Sequence, residues 1–279
     1  MRLKTSRHGE ARRNGMNIVV CIKQVPDTTD VKINPKTGTL VREGVPSIIN
    51  PDDTHAIEEG LRLKEKFGGR VVVLSMGPPQ AMDALMVCKA MGVDLCYLIS
   101  DRAFAGADTL ATSYTLAKAV QATGPWDVVI CGRQAIDGDT AQIGPQMAEA
   151  LGVPQVTYCT EISVEGRKVT AKRALEDGYE LIRTELPALF TVIKDINKPR
   201  YPSVMGIVSV CRSCDVQTWT AKDIAASPKM IGLNGSPTQV ARTFAPEPKG
   251  VGQVLKGEPE AVVKELVKKL RDKNVVRVR

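Results

Sequence analysis

The chain has 279 residues, of which 43% are hydrophobic and 25% charged, which suits one large α/β domain and excludes general disorder. The net charge of +7 lies at the two ends, because residues 1–15 and 260–279 each carry +4 and the body carries −1. A near-neutral body with 4% aromatic residues makes a poor nucleic-acid platform. No apolar run approaches the roughly 18 residues of a membrane helix, and we expect neither a signal peptide nor a membrane span.

The N-terminal segment comes first in chain order. Residues 1–15 are polar and basic without apolar periodicity, so we expect a disordered extension. The apolar run at 17–22 predicts a strand buried on both faces of a parallel sheet, and the segment 31–41 predicts a hairpin. A helix should begin after Asn50, which is a good N-cap, and end at Gly68.

Strands and helices then alternate as far as about residue 155. This repetition with short connections predicts a Rossmann-like, doubly wound and mostly parallel sheet in an α/β domain. Turn signals at Glu165-Gly166 and Asp177-Gly178 then predict antiparallel strands. Residues 189–193 are expected to form a last core strand. The other predicted strands lie at 70–77, 95–100, 127–131, 156–163, 168–174 and 180–185, and the predicted helices at 78–91, 108–122 and 140–151.

The last part of the chain changes in composition. Residues 16–225 are expected to form the nucleotide-binding α/β domain. Proline and glycine become frequent beyond residue 226, which predicts an arm over residues 226–279. A final helix is expected at 259–273 within that arm.

Cysteine and histidine usage limits the chemistry. Most of the seven cysteines lie inside apolar runs, which favours reduced, buried thiols in a cytoplasmic protein. Cys211 and Cys214 form a single CxxC, and no second pair completes a zinc or iron–sulfur pattern. The only histidines are His8 and His55, so a catalytic triad or a histidine-rich metal site is not expected.

The loop at 132–152 carries the strongest signal for a ligand. Ligands of such sheets bind beyond the carboxyl ends of the strands, where this loop should lie. Gly132 and Gly138 permit close backbone approach, Thr140 stands where a helix is expected to begin, and Arg133 brings positive charge. Free N–H groups and the helix dipole there suit a phosphate, although a capped glycine turn is the alternative. The GxGxxG and Walker A motifs are absent.

A second loop, at 100–116, follows the same logic. Gly106 permits a tight turn, and Asp108 caps the helix that follows. Arg102 is able to meet a phosphate or a ring carbonyl, and Phe104 to pack on a ring. A surface loop with a capped helix is the alternative interpretation.

Several segments together resemble the beta subunit of electron-transfer flavoproteins, in the family's order and over nearly the whole chain from Met16. The resemblance implies a Rossmann-like domain that binds an adenine nucleotide and pairs with an alpha subunit carrying one FAD. It also implies that the arm contacts the alpha subunit. The matching segments are VVCIKQVPD (19–27), NPDDTHAIEEGLRLKE (50–65), LSMGPPQA (74–81), CGRQAIDGDTAQIGPQ (131–146) and LPALFTVIKDINKPRYPS (186–203).

The resemblance also implies the site residues. The nucleotide is expected to contact the first strand, the start of the first long helix, the end of the next strand, and the loop around its phosphates. A second segment is expected to dock a partner dehydrogenase, with Val204 inserting into it. The nucleotide residues are Cys21, Asn50, Pro51, Asp52, Asp53, Met76, Gly132, Arg133, Gln134, Ala135, Ile136, Asp137, Gly138, Asp139, Thr140, Ala141, Gln142 and Ile143; the docking residues are Pro199, Arg200, Tyr201, Pro202, Ser203 and Val204.

Two segments, DRAFAGADTLAT (101–112) and DGDTAQ (137–142), resemble the electron-bifurcating members of the family. That group holds a second FAD in the beta site, takes a hydride from NADH, and sends one electron to a dehydrogenase, such as an acyl-CoA dehydrogenase, through the alpha-subunit FAD. The other electron goes to ferredoxin or flavodoxin. No general acid or base in this chain is required. The residues expected near flavin and NADH are Asp101, Arg102, Phe104, Gly106, Ala107, Asp108, Thr109 and Thr112.

Three alternatives remain open. A non-bifurcating electron-transfer flavoprotein would hold structural AMP in the same site. An ATP-binding module of similar fold would carry a late Gly-x2-Gly phosphate loop, which is absent. A purely structural subunit fits poorly with so polar a cluster at 132–143.

Overall fold

The computed structural model describes residues 15–27, 46–213, 215–241 and 252–276. The chain forms two compact units, Met1–Ala241 and Arg242–Arg279. The predicted hairpin at 31–41 and the predicted extension before Gly15 lie outside the described residues.

Over the described residues, the first unit is built on a nine-stranded sheet with the order β11-β5-β4-β1-β6-β10-β7-β8-β9. Neighbouring strands from β11 to β7 are parallel, whereas β7, β8 and β9 form an antiparallel meander. Two further strands, β2 and β3, pair with each other outside this sheet. The strands are β1 (Met16–Ile22), β2 (Gln24–Pro26), β3 (Ser47–Ile49), β4 (Gly69–Met76), β5 (Leu95–Ile99), β6 (Val128–Gly132), β7 (Gln155–Glu165), β8 (Lys168–Leu175), β9 (Gly178–Glu185), β10 (Ala188–Val192) and β11 (Val216–Trp219).

Helices cover both faces of the parallel part of the sheet. Alternate residues of β1 face opposite ways, so Ile18 and Val20 pack with α1 and α2, whereas Val19 and Cys21 pack with α3 and α4. This two-sided burial explains why the central strands are continuous apolar runs. The helices are α1 (Pro51–Phe67), α2 (Met82–Met91), α3 (Thr109–Ala122), α4 (Ile143–Leu151), α5 (Val204–Arg212) and α6 (Pro259–Asp272).

The strand order creates a switch point between β1 and β6. From β1 the chain passes through α1 to β4 on one side, and after α3 it crosses to β6 on the other side. The connections therefore diverge above the carboxyl ends of β1 and β6, and a crevice opens there. The predicted Rossmann-like fold is confirmed.

Several elements differ from the sequence-based expectation, and the short strands β2 and β3 are among those that were not predicted. Helix α4 begins at Ile143 and not at Thr140, because Asp139 and Ala141 adopt left-handed φ values of 52°. Strand β11, which extends the sheet beside β5, was not predicted. Helix α5 was not predicted either; it follows the docking segment directly, with the Ser203 hydroxyl accepting a hydrogen bond from the N–H of Gly206.

The second unit contains α6, close to the predicted final helix. Its apolar side chains Val263, Leu266 and Val267 lie exposed. Over the parts of the chain that are described, no helix combines the length and the apolar character needed to cross a membrane.

Candidate functional site

The crevice between β1 and β6 is held open by one carboxylate. Asp53, in the first turn of α1, accepts hydrogen bonds from the N–H of Lys23 (2.8 Å) and the N–H of Gly132 (3.0 Å). These N–H groups follow the last paired residues of β1 and β6. Asp53 therefore takes the place of the next rung of the sheet and fixes the distance between the two strand ends.

Burial raises the pKa of Asp53 to about 7, although hydrogen bonds from the N–H of Lys23, from Asn50 and from the N–H of Gly132 oppose that rise. The side chain of Asp53 is 6% exposed. A Cβ at Gly132 would stand 2.3 Å from the Asp53 carboxylate, so only glycine allows the helix to approach the strand end so closely. The Asp53 carboxylate is thus bound to the backbone N–H groups of both strand ends, and it forms the floor of the crevice between them.

Asn50 fixes the loop that follows β6. Its buried amide donates to the carbonyl of Gln134 (2.8 Å), and its side-chain oxygen accepts from the N–H of Ile136 (3.0 Å). Although Asn50 stands at the N-cap of α1, its side chain does not cap that helix. Lys23 adds a second tie through an ion pair of 2.7 Å with Asp137. The loop is therefore preorganised by groups at the end of β1 and the start of α1.

The end of this loop presents free backbone donors. Helix α4 begins without a side-chain cap. The N–H groups of residues 140–143 meet no acceptor among the residues that the structure describes. The left-handed backbone at Asp139 and Ala141 turns this stretch, and a Cβ at Gly138 would meet no described residue within 4 Å. An uncapped helix start of this kind is suited to an anion such as phosphate.

The positive charge of Arg133 is partly neutralised by a neighbouring carboxylate. The Arg133 guanidinium lies 3.4 Å from the Asp52 carboxylate and 5.9 Å from the ring centre of Tyr158. Burial raises the pKa of Asp52, and Arg133 opposes that rise. Arg133 Nε and Asp52 Oδ2 are buried and make no hydrogen bond within the described residues. Phosphate binding would therefore depend chiefly on the N–H groups of the loop.

The second predicted loop meets the first. The Thr109 hydroxyl donates to the side-chain oxygen of Gln142 (3.0 Å), and the Ser113 hydroxyl donates to that of Gln146 (3.0 Å). Thr109 and Gln142, one from each predicted set, thus come together.

The two loops differ electrostatically. Asp108 caps α3 by accepting from the N–H of Leu110 and of Ala111, both at 3.0 Å. A helix start already neutralised by its own carboxylate does not attract a phosphate, in contrast to the start of α4. Arg102 is exposed, whereas Phe104 is 5% exposed and packs in the core.

The remaining predicted contacts lie at the ends of β1 and β4. Met76 is half-buried at the last residue of β4. Cys21 is buried opposite Cys131 on β6, and burial raises the pKa of the Cys21 thiol to about 12. The thiol therefore stays protonated, and it is a wall of the crevice and not a nucleophile.

The predicted docking segment 199–204 is anchored on α1. The Arg200 guanidinium donates to both carboxylate oxygens of Glu58, at 2.8 and 3.1 Å, and also to Glu65. Tyr201 and Val204 are 91% and 76% exposed, and Met205 continues their surface into α5. Arg200 therefore holds the segment in place, while its apolar side chains face outward.

No cluster of three metal-binding side chains occurs within the described ranges. Cys211 is exposed, and Cys214 lies outside those ranges, so the CxxC is not tested. Sequence reasoning missed Lys23, Tyr158 and Gln146 as neighbours of the site. Only Lys23 had a signal, since it directly follows the first strand.

A parallel sheet with a preorganised loop at its switch point, and helix-start N–H groups that meet no acceptor among the described residues, defines a Rossmann-like α/β protein with a site suited to an anion. The family model for the electron transfer flavoprotein domain matches residues 37–224. The chain belongs to the electron transfer flavoprotein family, among the beta subunits, as the resemblance predicted.

Three relatives illustrate the similarity. The chain is 52% identical over 261 residues to electron transfer flavoprotein subunit beta of Thermoanaerobacterium thermosaccharolyticum. It is 52% identical over 263 residues to the caffeyl-CoA reductase-Etf complex subunit CarD of Acetobacterium woodii. It is 47% identical over 269 residues to acryloyl-CoA reductase electron transfer subunit gamma of Anaerotignum propionicum. Each comparison covers 94% of this chain and 100% of the relative.

Proposed function

We propose that this chain binds FAD and NADH and bifurcates electrons in a heterodimer with an FAD-carrying alpha subunit. The low-potential electron goes to ferredoxin or flavodoxin, and the other electron goes through the alpha-subunit FAD to a dehydrogenase. This electron transfer takes place in the cytoplasm, where the buried thiols stay reduced. The observation that carries the proposal is the set of free N–H groups at residues 140–143, next to the loop 101–109.

The residues fit an adenine dinucleotide. The uncapped start of α4 offers several N–H donors, and the space at Gly138 is open to a ligand. The capped, negatively charged start of α3 is better suited to an uncharged ring system than to a phosphate. AMP would engage only the start of α4 and would leave the loop at 101–109 without a ligand. FAD has a ring system for that loop, which favours FAD.

The chemistry that FAD supplies when it is bound is hydride acceptance from NADH and the release of electrons one at a time. The side chains of this chain bind and orient. Asp53 sets the width of the crevice, and Asn50 and Lys23 fix the phosphate loop. Thr109, Gln142 and the exposed Arg102 offer polar groups to the ring and to NADH.

Partner recognition is proposed to use the exposed apolar surface at Tyr201, Val204 and Met205. The relatives whose names refer to a caffeyl-CoA reductase complex and to acryloyl-CoA reductase support an acyl-CoA-type partner. Arg200 and Glu58 hold this surface on α1, the helix whose first turn forms the nucleotide crevice.

The nucleotide content of the purified heterodimer, released by acid and separated by chromatography, tests the proposal. We expect two FAD and no AMP per heterodimer, together with NADH-driven reduction of ferredoxin. One FAD and one AMP would instead identify a non-bifurcating carrier with a structural nucleotide.

A matched pair of variants tests the phosphate loop. Asn and Asp both tolerate the left-handed backbone that Ala141 adopts, so Ala141→Asn and Ala141→Asp differ only in charge. If the loop binds phosphate, Ala141→Asp should weaken nucleotide binding at least about tenfold more than Ala141→Asn. Equal affinities in the two variants would place the phosphates elsewhere.

A further inference from the structure

The chain that follows β11 returns to the loop at 101–109. Residues 220–238, here named the brace segment, lie within the first compact unit. Near its beginning, the N–H of Ala221 donates to Asp101 (3.1 Å). A Cβ at Gly106 would stand 2.7 Å from Leu233, and a Cβ at Gly232 would stand 2.1 Å from the carbonyl oxygen of Ala103. The brace segment thus packs closely along the loop.

Asp108 joins the brace segment to the loop. One carboxylate oxygen of Asp108 caps α3, whereas the other accepts from the Thr238 hydroxyl (2.8 Å) and the Thr238 N–H (3.1 Å). The Asp108 N–H donates to the Ser236 hydroxyl (2.8 Å). Burial would raise the pKa of Asp108, but hydrogen bonds from Ala111 and Thr238 hold it below its ordinary value. Asp108 is therefore charged at neutral pH and makes strong bonds to the brace segment.

The position of Asp108 matters for the site because the next residue is Thr109. The Thr109 hydroxyl donates to Gln142, at the start of the phosphate loop's helix. A shift of Asp108 would thus move the loop at 101–109 relative to α4. Among the described residues, no group of the brace segment hydrogen-bonds to the phosphate loop.

We propose that the brace segment positions the 101–109 loop for the ring half of the bound dinucleotide, with Thr238 acting as a positioning residue through Asp108. The inference rests on the proposed function, since it assigns this loop to the ring half and the start of α4 to the phosphates. It predicts that loss of the Thr238 hydroxyl weakens the binding of FAD more than that of AMP, because AMP lacks the flavin ring that would contact this loop.

Thr238→Val tests the inference, because it keeps the shape and the N–H but removes the hydroxyl donor. Each variant is prepared as the heterodimer with the beta site emptied, and AMP and FAD are titrated by calorimetry. We expect Thr238→Val to weaken FAD roughly tenfold and AMP less than twofold, and Thr238→Ser to restore FAD binding. Thr220→Val is the matched control, because within the described part of the chain the Thr220 hydroxyl bonds to Asp223 of the brace segment itself and not to the loop.

The outcomes separate the inference from the proposed function. Equal weakening of FAD and AMP, or no change in either, overturns the role of the brace segment while the proposed function stands. A wild-type heterodimer that binds AMP but not FAD overturns the proposed function, and the inference with it.

A measurement on the wild-type heterodimer covers the case in which Thr238→Val does not fold. Lys229 is exposed in the brace segment and is a site for trypsin. We expect FAD to slow cleavage after Lys229 several-fold more than AMP does. The same cleavage rate with either nucleotide would contradict the inference.

Discussion

At the scale of single residues, Asp53 has a pH dependence that can be tested. Its pKa is about 7 in the folded chain, where burial raises it, against the ordinary value of 3.8. Between these two values the folded state binds more protons than the unfolded state. The contribution of Asp53 to the free energy of unfolding therefore falls as pH rises from about 4 to about 7, and stays constant above that.

Asp53→Asn should remove this part of the pH dependence. We expect the wild-type free energy of unfolding to fall more steeply than that of the variant between about pH 5 and pH 7. Urea unfolding of both proteins at several pH values measures the two slopes. Asp177→Asn, on the exposed turn between β8 and β9, is the control and should keep the wild-type slope. Parallel curves for wild type and Asp53→Asn would contradict the assignment.

Gly132 and Gly138 serve the same loop in different ways. A Cβ at Gly132 would collide with Asp52 and Asp53, whereas a Cβ at Gly138 would approach none of the described residues within 4 Å. We expect Gly132→Ala to lower the free energy of unfolding by about 2–4 kcal/mol, because neither the helix nor the strand can move freely.

Gly138→Ala should leave the unfolding free energy within about 0.5 kcal/mol of wild type but weaken nucleotide binding. Thermal unfolding and nucleotide titration of both variants separate these effects. If Gly138→Ala binds nucleotide as tightly as wild type, the ligand does not approach this side of the loop.

At the scale of elements, α1 serves two surfaces at once. Its first turn supplies Asp53 to the proposed nucleotide crevice, and its middle supplies Glu58 to Arg200 of the proposed docking segment. Burial would raise the pKa of Glu58, but hydrogen bonds from Arg200 and Arg62 hold it below its ordinary value of 4.5. This pair therefore stabilises the segment above about pH 4.5, and the stabilisation is lost as pH falls through the lowered pKa.

Glu58→Gln should loosen the docking segment without altering the crevice. We expect the KM for the partner dehydrogenase to rise about three- to tenfold at unchanged kcat, with a loss of stability of about 1 kcal/mol. Glu65→Gln also removes a bond to Arg200, but from an exposed carboxylate, so its effect should be clearly smaller. Steady-state electron transfer at varied partner concentration measures both; an unchanged KM in Glu58→Gln would show that Arg200 does not hold the docking surface.

Hydrophobic periodicity was sufficient to predict most elements of the sheet, because buried parallel strands leave continuous apolar runs. It failed where the backbone departs from regular structure without a marker. Ala141 has a left-handed φ that alanine rarely adopts, so the sequence placed the start of α4 three residues early. Strand β11 has four residues and no buried one, which leaves no apolar run to recognise.

The site residues also divide into those with a local sequence signal and those without one. Glycines and a helix start pointed to the loop at 132–143 from local sequence alone. The role of Asp53 was hidden, because the N–H groups that it binds are 30 and 79 residues away. The tie between Asp108 and Thr238 spans 130 residues and had no sequence signal either.

At the scale of the whole molecule, the chain divides between Ala241 and Arg242. The brace segment belongs to the first unit, whereas the proposed arm continues through the second unit with α6. The last turn of α6 carries Lys269 and Arg271, and its apolar side chains Val263 and Leu266 are exposed. A truncation that tests the arm must therefore keep residues 220–241, since an earlier stop would also remove the brace segment.

Deletion of residues 242–279 should leave the nucleotide domain folded and weaken its association with the alpha subunit. We expect the exposed apolar face of α6 to be buried against the alpha subunit in the heterodimer. Burial of one such helix face would contribute a few kcal/mol to association, so its deletion should lower the affinity at least about tenfold. Analytical ultracentrifugation measures the affinity, and circular dichroism of the truncated chain checks its fold. A second variant, Leu266→Asp with Val263→Asp, tests the same face in the full-length chain. Wild-type affinity in both the truncation and the double variant would mean that the second unit does not bind the alpha subunit, and the heterodimer would then have to be held by the first unit alone.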